Sequence, residues 1–421
     1  MKNYQYIEDF KKLGFGMFVH FGISSQTGEG IMAGGWNFEK KEDYCDLIKT
    51  FRVREDWAKE LVKTAKDAGC KYITFTTRHH DGFSHFDTSE LEDDGFDSLH
   101  SPTARDTLKE LVDECNAQGI VPFFYLSLIS WFKEKQYLDS IGQKTIYNRK
   151  TEYAKWLRES GYIEYLIKTI ELLCTKYGKI GGMWFDGSWV NNEFEWPFDR
   201  IYGTVRKLQP TAMIIDNTGI DACGVVGHPE IDAVTFERGK PGKTVCTDRP
   251  RAGEMCETLN SHWGYALNDV TYKTPEKLIE ELLDCRSVEC NMLLNVGPQA
   301  DGSLRTIDKG TFEIIGQWLK ANKYFIYDVK PADIQIDGET VLMDSEGNYY
   351  VVVKNVPIRM IANLQRRQGE IRKITVPAQV ESAEWLDNGE QIPVENNAFY
   401  TKFFDAGFAL GHRIAKLRIK K

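Results

Sequence analysis

Clusters of apolar residues alternate along the first three quarters of the chain with segments in which apolar residues recur every three or four positions. The clusters lie between turn residues and predict buried strands, whereas the recurring pattern predicts helices. The predicted strands cover residues 15–20, 71–77, 120–128, 181–186, 212–216, 233–237, 254–258 and 292–296, and the predicted helices cover residues 55–68, 107–118, 162–176 and 312–323.

Eight strands that alternate with helices predict an α/β fold, a (β/α)8-like TIM barrel whose closed sheet is mainly parallel. The stretch between Glu237 and Glu254 is too short to hold a helix with its connections, so that repeat is predicted to be degenerate. We expect the barrel to span residues 1–330.

The pattern changes near residue 330 to short strand-like segments within residues 341–343, 349–353 and 371–376. Turn signals at Asp337-Gly338, Glu346-Gly347 and Asn388-Gly389 separate such segments. Residues 331–421 are therefore predicted to form a C-terminal antiparallel β-sandwich domain.

Composition narrows the class of partner and the compartment. The 421 residues are 42% hydrophobic and 27% charged, and the net charge of -9 disfavours nucleic acid and anionic membranes as partners. Nine cysteines without a CxxC pair indicate neither a zinc ribbon nor a disulfide framework. The first residues lack the apolar core of a signal peptide, and no segment is long enough to span a bilayer. We expect a cytoplasmic protein.

The most informative segment is the strand at residues 181–186, which ends on Asp186 directly before Gly187. Because α/β barrels keep their catalytic groups at the carboxyl ends of strands, Asp186 is a catalytic candidate. An Asp before a Gly also bonds backbone amides in turns, but the residues at the ends of the other strands favour catalysis.

The ends of the predicted strands carry polar and aromatic residues, namely His20, His79, His80, Tyr125, Trp184, Asn217, Glu237, Glu254 and Asn295. Aromatic faces and hydroxyl-binding groups suit a carbohydrate, and two carboxylates would supply hydrolysis.

Metal binding is the alternative for the histidines. Three imidazoles with Asp81 would suit zinc or iron. Adjacent histidines on a strand point to opposite faces, so joint ligation by His79 and His80 requires that the strand has already ended. We rank sugar binding by His20, His79 and His80 above metal binding and predict no metal.

Six motifs follow one another between about residue 10 and residue 325. They are His20-Phe21-Gly22, His79-His80-Asp81-Gly82-Phe83, Tyr125-Leu126-Ser127-Leu128 followed by Trp131, Trp184-Phe185-Asp186-Gly187, Trp263-Gly264-Tyr265 and Leu293-Leu294-Asn295-Val296-Gly297-Pro298. This set, in this order, resembles glycoside hydrolase family 29, the α-L-fucosidases. The C-terminal module is similar in character to that family's β-sandwich.

The resemblance implies roles for single residues. Asp186 would be the nucleophile, and the implied fucose-binding residues are His20, Trp36, His79, His80, Tyr125, Trp184 and Trp263. The chain departs from the family at two positions that bear on contacts to the sugar. Gly35 stands where the family often has Glu before that tryptophan, and Asn217 stands where it often has Arg after the fifth strand.

The general acid/base is a choice between two glutamates. We favour Glu237, because it ends its predicted strand as Asp186 does, whereas Glu254 begins its predicted strand deeper in the barrel. Glu254 is then a substrate-binding candidate. For Glu237 the structural alternative is a salt bridge to Arg238 or Arg249, which is worth little if exposed.

The resemblance implies a retaining exo-α-L-fucosidase that removes terminal α-L-fucose from fucosylated oligosaccharides or glycoconjugates by double displacement, without a cofactor. Because no Glu precedes Trp36, α-1,3 and α-1,4 linkages are favoured, as in a 1,3-α-L-fucosidase. Two alternatives stay open: a carbohydrate-binding barrel without catalysis, and a hydrolase of another sugar on the same scaffold. The sequence leaves the oligomeric state open, a homo-oligomer included.

Overall fold

The computed structural model describes residues 4–31, 44–91, 95–142, 150–190, 193–246, 248–356, 358–361, 364–365, 371–401, 404–405 and 411–420. Eight parallel strands close into a barrel in chain order. They are β1 (Phe15–Val19), β2 (Tyr72–Arg78), β3 (Val121–Ser127), β4 (Gly182–Asp186), β5 (Met213–Asp216), β6 (Ala233–Glu237), β7 (Ala252–Thr258) and β8 (Cys290–Val296). The predicted barrel is confirmed, and each predicted strand bound differs from the observed one by at most two residues.

Nine helices lie in the described part of the chain. They are α1 (Gln5–Leu13), α2 (Trp57–Asp67), α3 (Thr107–Gln118), α4 (Trp131–Ser140), α5 (Lys150–Glu159), α6 (Tyr162–Lys176), α7 (Phe198–Leu208), α8 (Pro275–Arg286) and α9 (Thr306–Ala321). The helix predicted at residues 312–323 begins earlier, at Thr306. The described residues between β6 and β7 form no helix, as predicted. The connection from β5 to β6 is also short and holds only the 3-10 turn Ile220–Ala222.

Helix α3 shows how local chemistry sets the bounds of an element. The Asp106 carboxylate accepts a hydrogen bond from the backbone N–H of Lys109 and so satisfies the first turn. Gly119 ends the helix in the left-handed region, with φ 74°. Both signals are visible in the sequence, which explains why the predicted bounds agree with the observed ones.

Side chains that point inward fill the barrel. Alternation along the strands directs Phe18, Tyr125 and Trp184 to one buried cluster inside the sheet. Helix α1 packs against the amino ends of the strands, where its Phe10 ring lies 5.7 Å from the ring of Tyr72. The interior is therefore packed, and polar side chains collect at the carboxyl ends.

The chain after α9 forms mainly antiparallel sheet, with one short parallel pairing between residues 358–359 and 404–405, which confirms the predicted β module. Its strands are β9 (Val329–Pro331), β10 (Thr340–Asp344), β11 (Tyr349–Lys354), β12 (Ile358–Ile361), β13 (Leu364–Gln365), β14 (Lys373–Thr375), β15 (Val380–Trp385), β16 (Ala398–Tyr400), β17 (Phe404–Asp405) and β18 (His412–Ile419). The largest sheet has the order β15-β18-β11-β10-β9. The predicted division at residue 330 falls within β9 and stays a prediction.

Two further features bear on the class of protein. All nine cysteines carry free thiols. Among the described helices, none has both the length and the apolar character that crossing a bilayer requires.

Candidate active site

A cavity of about 460 Å³ opens at the carboxyl ends of the barrel strands. Most of the side chains predicted from the sequence line it, namely His20, His79, His80, Tyr125, Trp184, Asp186, Glu237 and Trp263. Trp36 and Gly35 lie outside the described residues. The structure thus brings the two favoured carboxylates and the three histidines together at one rim.

Strand geometry explains this convergence. Trp184 and Asp186 are two residues apart on β4, so both point into the barrel. Strand β2 ends at Arg78, so His79 and His80 both follow the end of the strand. This is the condition under which adjacent histidines can reach one site, and both line the cavity.

Asp186 is 8% exposed and is held by donors on both oxygens. Its Oδ1 accepts hydrogen bonds from the backbone N–H of Gly187 at 2.8 Å, from Trp189 Nε1 at 2.9 Å and from Asn217 Nδ2 at 3.3 Å. Its Oδ2 accepts from the Tyr125 hydroxyl at 2.7 Å. The turn that an Asp-Gly pair predicts is therefore present, and it orients a carboxylate that faces the cavity.

Glu237 is half-buried at the end of β6, two strands from Asp186. Asn217, at the end of the intervening β5, donates from the same Nδ2 atom to Glu237 Oε2 at 2.8 Å. Burial raises the pKa of Glu237, and the charge of Asp186 adds to the increase, while the bond from Asn217 opposes it. Glu237 is thus biased toward the protonated form that a general acid needs.

The two arginines considered as partners of Glu237 are engaged elsewhere. The Arg238 guanidinium lies 5.0 Å from the centre of the Trp263 ring and donates to the carbonyl of Ser261 at 3.0 Å. Arg249 donates to Asp232 at 2.8 Å, at the amino end of β6 and so at the opposite end of that strand from Glu237. The charge of Arg238 still lowers the pKa of Glu237, but as a minor effect.

The three imidazoles on the cavity wall favour the neutral form. Burial lowers the pKa of His20 to about 3 and also lowers the pKa values of His79 and His80. The Asn295 side chain fixes the orientation of His20. The amide nitrogen of Asn295 donates to the carbonyl of Trp263 at 2.6 Å, so the group that faces His20 is the amide oxygen of Asn295. This oxygen therefore accepts from His20 Nδ1, also at 2.6 Å, which leaves His20 Nε2 as an acceptor.

The same reasoning applies to His80. Ser127 Oγ donates to the carbonyl of Ile129 at 2.7 Å, so it accepts from His80 Nδ1 at 2.7 Å. His80 Nε2 then carries a lone pair and lies 3.6 Å from Asp186 Oδ2. His80 Nε2 and Asp186 Oδ2 are both acceptors, and they are close enough together to bind a ligand whose hydroxyl group donates a hydrogen bond.

Aromatic rings fix the wall of the cavity. The Tyr125 ring is stacked on His79 at 5.2 Å, with an interplanar angle of 3°, and on Trp184 at 5.5 Å. The Trp263 ring packs against the His20 ring, with their centres 5.2 Å apart. These rings offer the apolar faces against which the C–H surface of a sugar packs.

A metal is the other ligand that part of this wall could hold. Ligand atoms of His79, His80 and Asp186 all lie within 4.8 Å of one another, and neutral imidazoles with a carboxylate suit zinc or iron. Asp81, the fourth residue considered from the sequence, is turned away, since it accepts from the Tyr44 hydroxyl and from the backbone of Phe83. The absence of a metal remains a prediction.

Glu254 does not line the cavity. It is fully buried on β7, where its Oε2 accepts from the Tyr72 hydroxyl at 2.6 Å and its Oε1 from Trp184 Nε1 at 2.8 Å. Burial raises the pKa of Glu254 to about 7. Its predicted strand starts two residues too late, but the expectation that Glu254 lies deeper than Glu237 agrees with the structure. The geometry therefore favours a supporting role, in which Glu254 holds Trp184 in place from below, over direct contact with a substrate.

Sequence reasoning missed part of the lining. Phe18, Trp189, Cys256 and residues 218–221 were not candidates, and Asn217 was noted at its strand end and as a departure from the family but was given no role. Trp189 follows the turn at Gly187, whose φ of 94° favours glycine. An Asp-Gly turn followed by a tryptophan was the available signal. The other residues share the inward alternation of their strands or lie on the loop after β5.

The comparisons with known proteins agree on one family. A family model described as alpha-L-fucosidase matches residues 1–324. The tissue alpha-L-fucosidases of Macaca fascicularis and Homo sapiens are each 25% identical to this chain over 384 residues, which is 85% of this chain and 77% of theirs. A solved structure, alpha-L-fucosidase isoenzyme 1 from Paenibacillus thiaminolyticus, is similar with a TM-score of 0.80 and 26% identity, covering 99% of both chains.

Proposed function

We propose that this chain, which belongs to the alpha-L-fucosidase family, glycoside hydrolase family 29, is a retaining exo-α-L-fucosidase acting on fucosylated oligosaccharides or glycoconjugates. One observation carries the proposal: Asp186 and Glu237 face one cavity and share a single donor atom. The bonds of 3.3 and 2.8 Å to that nitrogen keep the nearest carboxylate oxygens within about 6 Å of each other. Retaining hydrolases separate their carboxyl groups by about 5–5.5 Å and inverting ones by about 6.5–9.5 Å.

In this mechanism Asp186 attacks the anomeric carbon. Its Oδ1 is occupied by three donors, whereas Oδ2 accepts from Tyr125 and lies beside His80. We therefore assign the attack to Oδ2, which retains a free lone pair. The fixed donors on Oδ1 orient the carboxylate before substrate binds, and this lowers the cost of reaching the transition state.

Glu237 supplies the proton to the leaving oxygen in the first step. Its pKa is raised by burial and by the negative charge of Asp186. Formation of the glycosyl-enzyme removes that charge, so the pKa of Glu237 falls and its carboxylate can take a proton from the attacking water. One residue thereby serves as acid and then as base.

The closed lower end of the cavity supports an exo mode of action. Trp184 forms part of the cavity wall, and Glu254 and Tyr72 are bonded in the packed interior beneath it. A chain of sugars has no passage through this layer, so only a terminal residue fits.

Preference for α-1,3 and α-1,4 linkages is part of the proposal, on the ground that Gly35 precedes Trp36.

Hydrolysis of a panel of aryl glycosides tests the substrate class. We expect turnover of the α-L-fucoside and at least about 100-fold less of the galactosides and glucosides, because the pocket must distinguish sugars by shape and hydroxyl contacts. The NMR spectrum of the first-formed product would show the α anomer. A barrel that binds fucose without turnover, or a different preferred sugar, would contradict the proposal. Lewis-type and H-type oligosaccharides, assayed side by side, test the linkage preference.

A cytoplasmic location is also proposed. The nine free thiols support it, because exported proteins with this many cysteines usually form disulfides. Cell fractionation with a compartment marker tests it, and recovery of the protein in the exported fraction would contradict it.

A further inference from the structure

Asn217 stands between the two carboxylates on which the proposed reaction depends. It follows β5, the strand between the one that carries Asp186 and the one that carries Glu237. Its side chain is 4% exposed and donates from Nδ2 to Asp186 Oδ1 and to Glu237 Oε2. An amide NH2 group has two hydrogens, one for each carboxylate.

The orientation of this amide is fixed from two directions. Its Oδ1 accepts from the backbone N–H of Gly219 at 3.2 Å, which is a turn closed by the asparagine's own side chain. It also accepts from the Thr235 hydroxyl at 3.3 Å, on the neighbouring β6. If the amide were rotated by 180°, its oxygen would face two carboxylates and its nitrogen would face two donors.

We propose that Asn217 is a positioning residue for both steps of the reaction: its single amide holds Asp186 and Glu237 at the separation that double displacement requires. The inference rests on the proposed function, since it assigns a task within that mechanism. A neutral donor suits this place, because it compensates part of the repulsion between the carboxylates without fixing Glu237 in its ionised form. A cation at the same distance would favour the ionised form more strongly.

The experiment uses Asn217→Ala and the isosteric Asn217→Asp. In Asn217→Ala a bond to the ionised form of Glu237 is lost, so the pKa of Glu237 should rise. In Asn217→Asp a third negative charge should raise it further. We expect the basic limb of the pH profile of kcat/KM to move to higher pH by about 0.5 to 1 unit in the first variant and more in the second. We also expect kcat to fall roughly 10- to 100-fold in the alanine variant, while KM changes less than about 3-fold.

Other charges near Glu237 are unchanged in these variants. The charges that influence the pKa of Glu237 are those of Asp186, Arg238 and Glu257, and the charge of Glu237 in turn influences the pKa values of Tyr125 and Cys256.

Asn291→Ala is the matched control. Asn291 is also a fully buried asparagine with a bonded amide, but it donates to the carbonyl of Phe10 at the opposite end of the barrel. Its loss should reduce stability without moving the pH profile of the folded fraction.

A substrate-free measurement separates this inference from the proposed function. The titration of the Glu237 carboxyl carbon can be followed by 13C NMR in the free enzyme, with Glu237→Gln to identify the signal. A higher pKa in folded Asn217→Ala supports the bridge even if the protein hydrolyses another sugar. An unchanged titration, or a rise in KM alone with an unchanged pH profile, would overturn it and make Asn217 a contact to the sugar. A wild type without fucosidase activity would refute the proposed function and leave the titration as the test of the bridge.

Discussion

The hydroxyl of Tyr125 donates to Asp186 Oδ2 at 2.7 Å, and the ring that carries this hydroxyl is stacked between His79 and Trp184. Burial raises the pKa of Tyr125 well above its usual value, so the hydroxyl remains a donor throughout the working pH range. The bond is therefore a fixed dipole directed at the oxygen to which we assign the attack. It restrains Asp186 and also stabilises its negative charge, which the reaction must remove.

Tyr125→Phe tests how much this bond contributes to positioning. We expect kcat to fall about 10-fold or more, because Oδ2 loses the donor that holds it in position for attack, while the weaker stabilisation of its charge acts in the opposite direction and limits the loss. Steady-state kinetics on an aryl fucoside measures the change. Tyr177→Phe is the control, since Tyr177 donates to Asp106 at the same 2.7 Å but outside the cavity. Equal losses in the two variants would contradict the assignment.

Asp186→Asn should remove nearly all turnover and leave the fold intact. The amide keeps the shape of the carboxylate but cannot form the glycosyl-enzyme, so less than about 1% of the wild-type kcat should remain. Asp216→Asn is the matched control, because Asp216 also ends a strand but is bonded to Tyr202 of α7. We expect its activity within about 3-fold of wild type. Circular dichroism would verify folding, and retention of several per cent of activity by Asp186→Asn would refute the nucleophile.

The positions of Asp186 and Glu237 could be predicted because two rules act on them at once. Alternation along a strand fixes the face, and the carboxyl end of a barrel strand fixes the rim. Trp189 escaped prediction because its place depends on the path of the chain after Gly187. The bridging role of Asn217 also escaped, since it depends on the distance between side chains of three strands.

For the fold, the strands were easier to predict than the helices. Buried strands form continuous apolar runs, whereas a helix shows only a spaced apolar pattern, and five of the nine described helices were not predicted, namely α1, α4, α5, α7 and α8. The start of α9 was placed too late because its first turn, from Thr306, contains Asp308 and Lys309 and lacks a capping side chain. Packing against the barrel decides such segments, and a single sequence does not show it.

A chelator separates the two uses of His79 and His80. If these histidines bind hydroxyls, prolonged dialysis against EDTA should change kcat/KM by less than about 2-fold, and added zinc should give no gain. Metal analysis of the dialysed protein by mass spectrometry accompanies the assay. Activity that is lost on chelation and restored by one divalent metal would show that His79, His80 and Asp186 together bind a metal ion.

Buried Glu254 should make stability depend on pH. Its pKa is about 7 in the folded protein and 4.5 in its ordinary state, so the folded protein holds a proton that the unfolded chain releases. The resulting contribution is complete below about pH 4.5 and is lost as the pH rises through 7. Between pH 5 and pH 8 the free energy of unfolding of the wild type should fall by on the order of 2 kcal/mol more than that of Glu254→Gln. Glu152→Gln, on an exposed helix position, should follow wild type, and parallel curves for Glu254→Gln would disprove the effect.

The choice between Glu237 and Glu254 as the acid/base can be made with leaving groups. A missing general acid slows a substrate in proportion to how much its leaving group needs a proton. Glu237→Ala should therefore slow a natural fucosylated oligosaccharide by about 1,000-fold or more, but an activated aryl fucoside much less. Azide, which needs no base, should react with the glycosyl-enzyme and restore turnover, with fucosyl azide as the product.

Glu254→Ala should give the other pattern. Its removal leaves the Tyr72 hydroxyl and Trp184 Nε1 without an acceptor, so the cavity wall is disturbed for every substrate alike. Both substrates should slow together, and azide should not restore the rate, because proton transfer is intact while the position of the sugar is not. The reverse result would assign the acid to Glu254 and require the barrel interior to open during catalysis. Asp186 would remain the nucleophile in either case, since its bonds to Tyr125 and Trp189 do not involve Glu254.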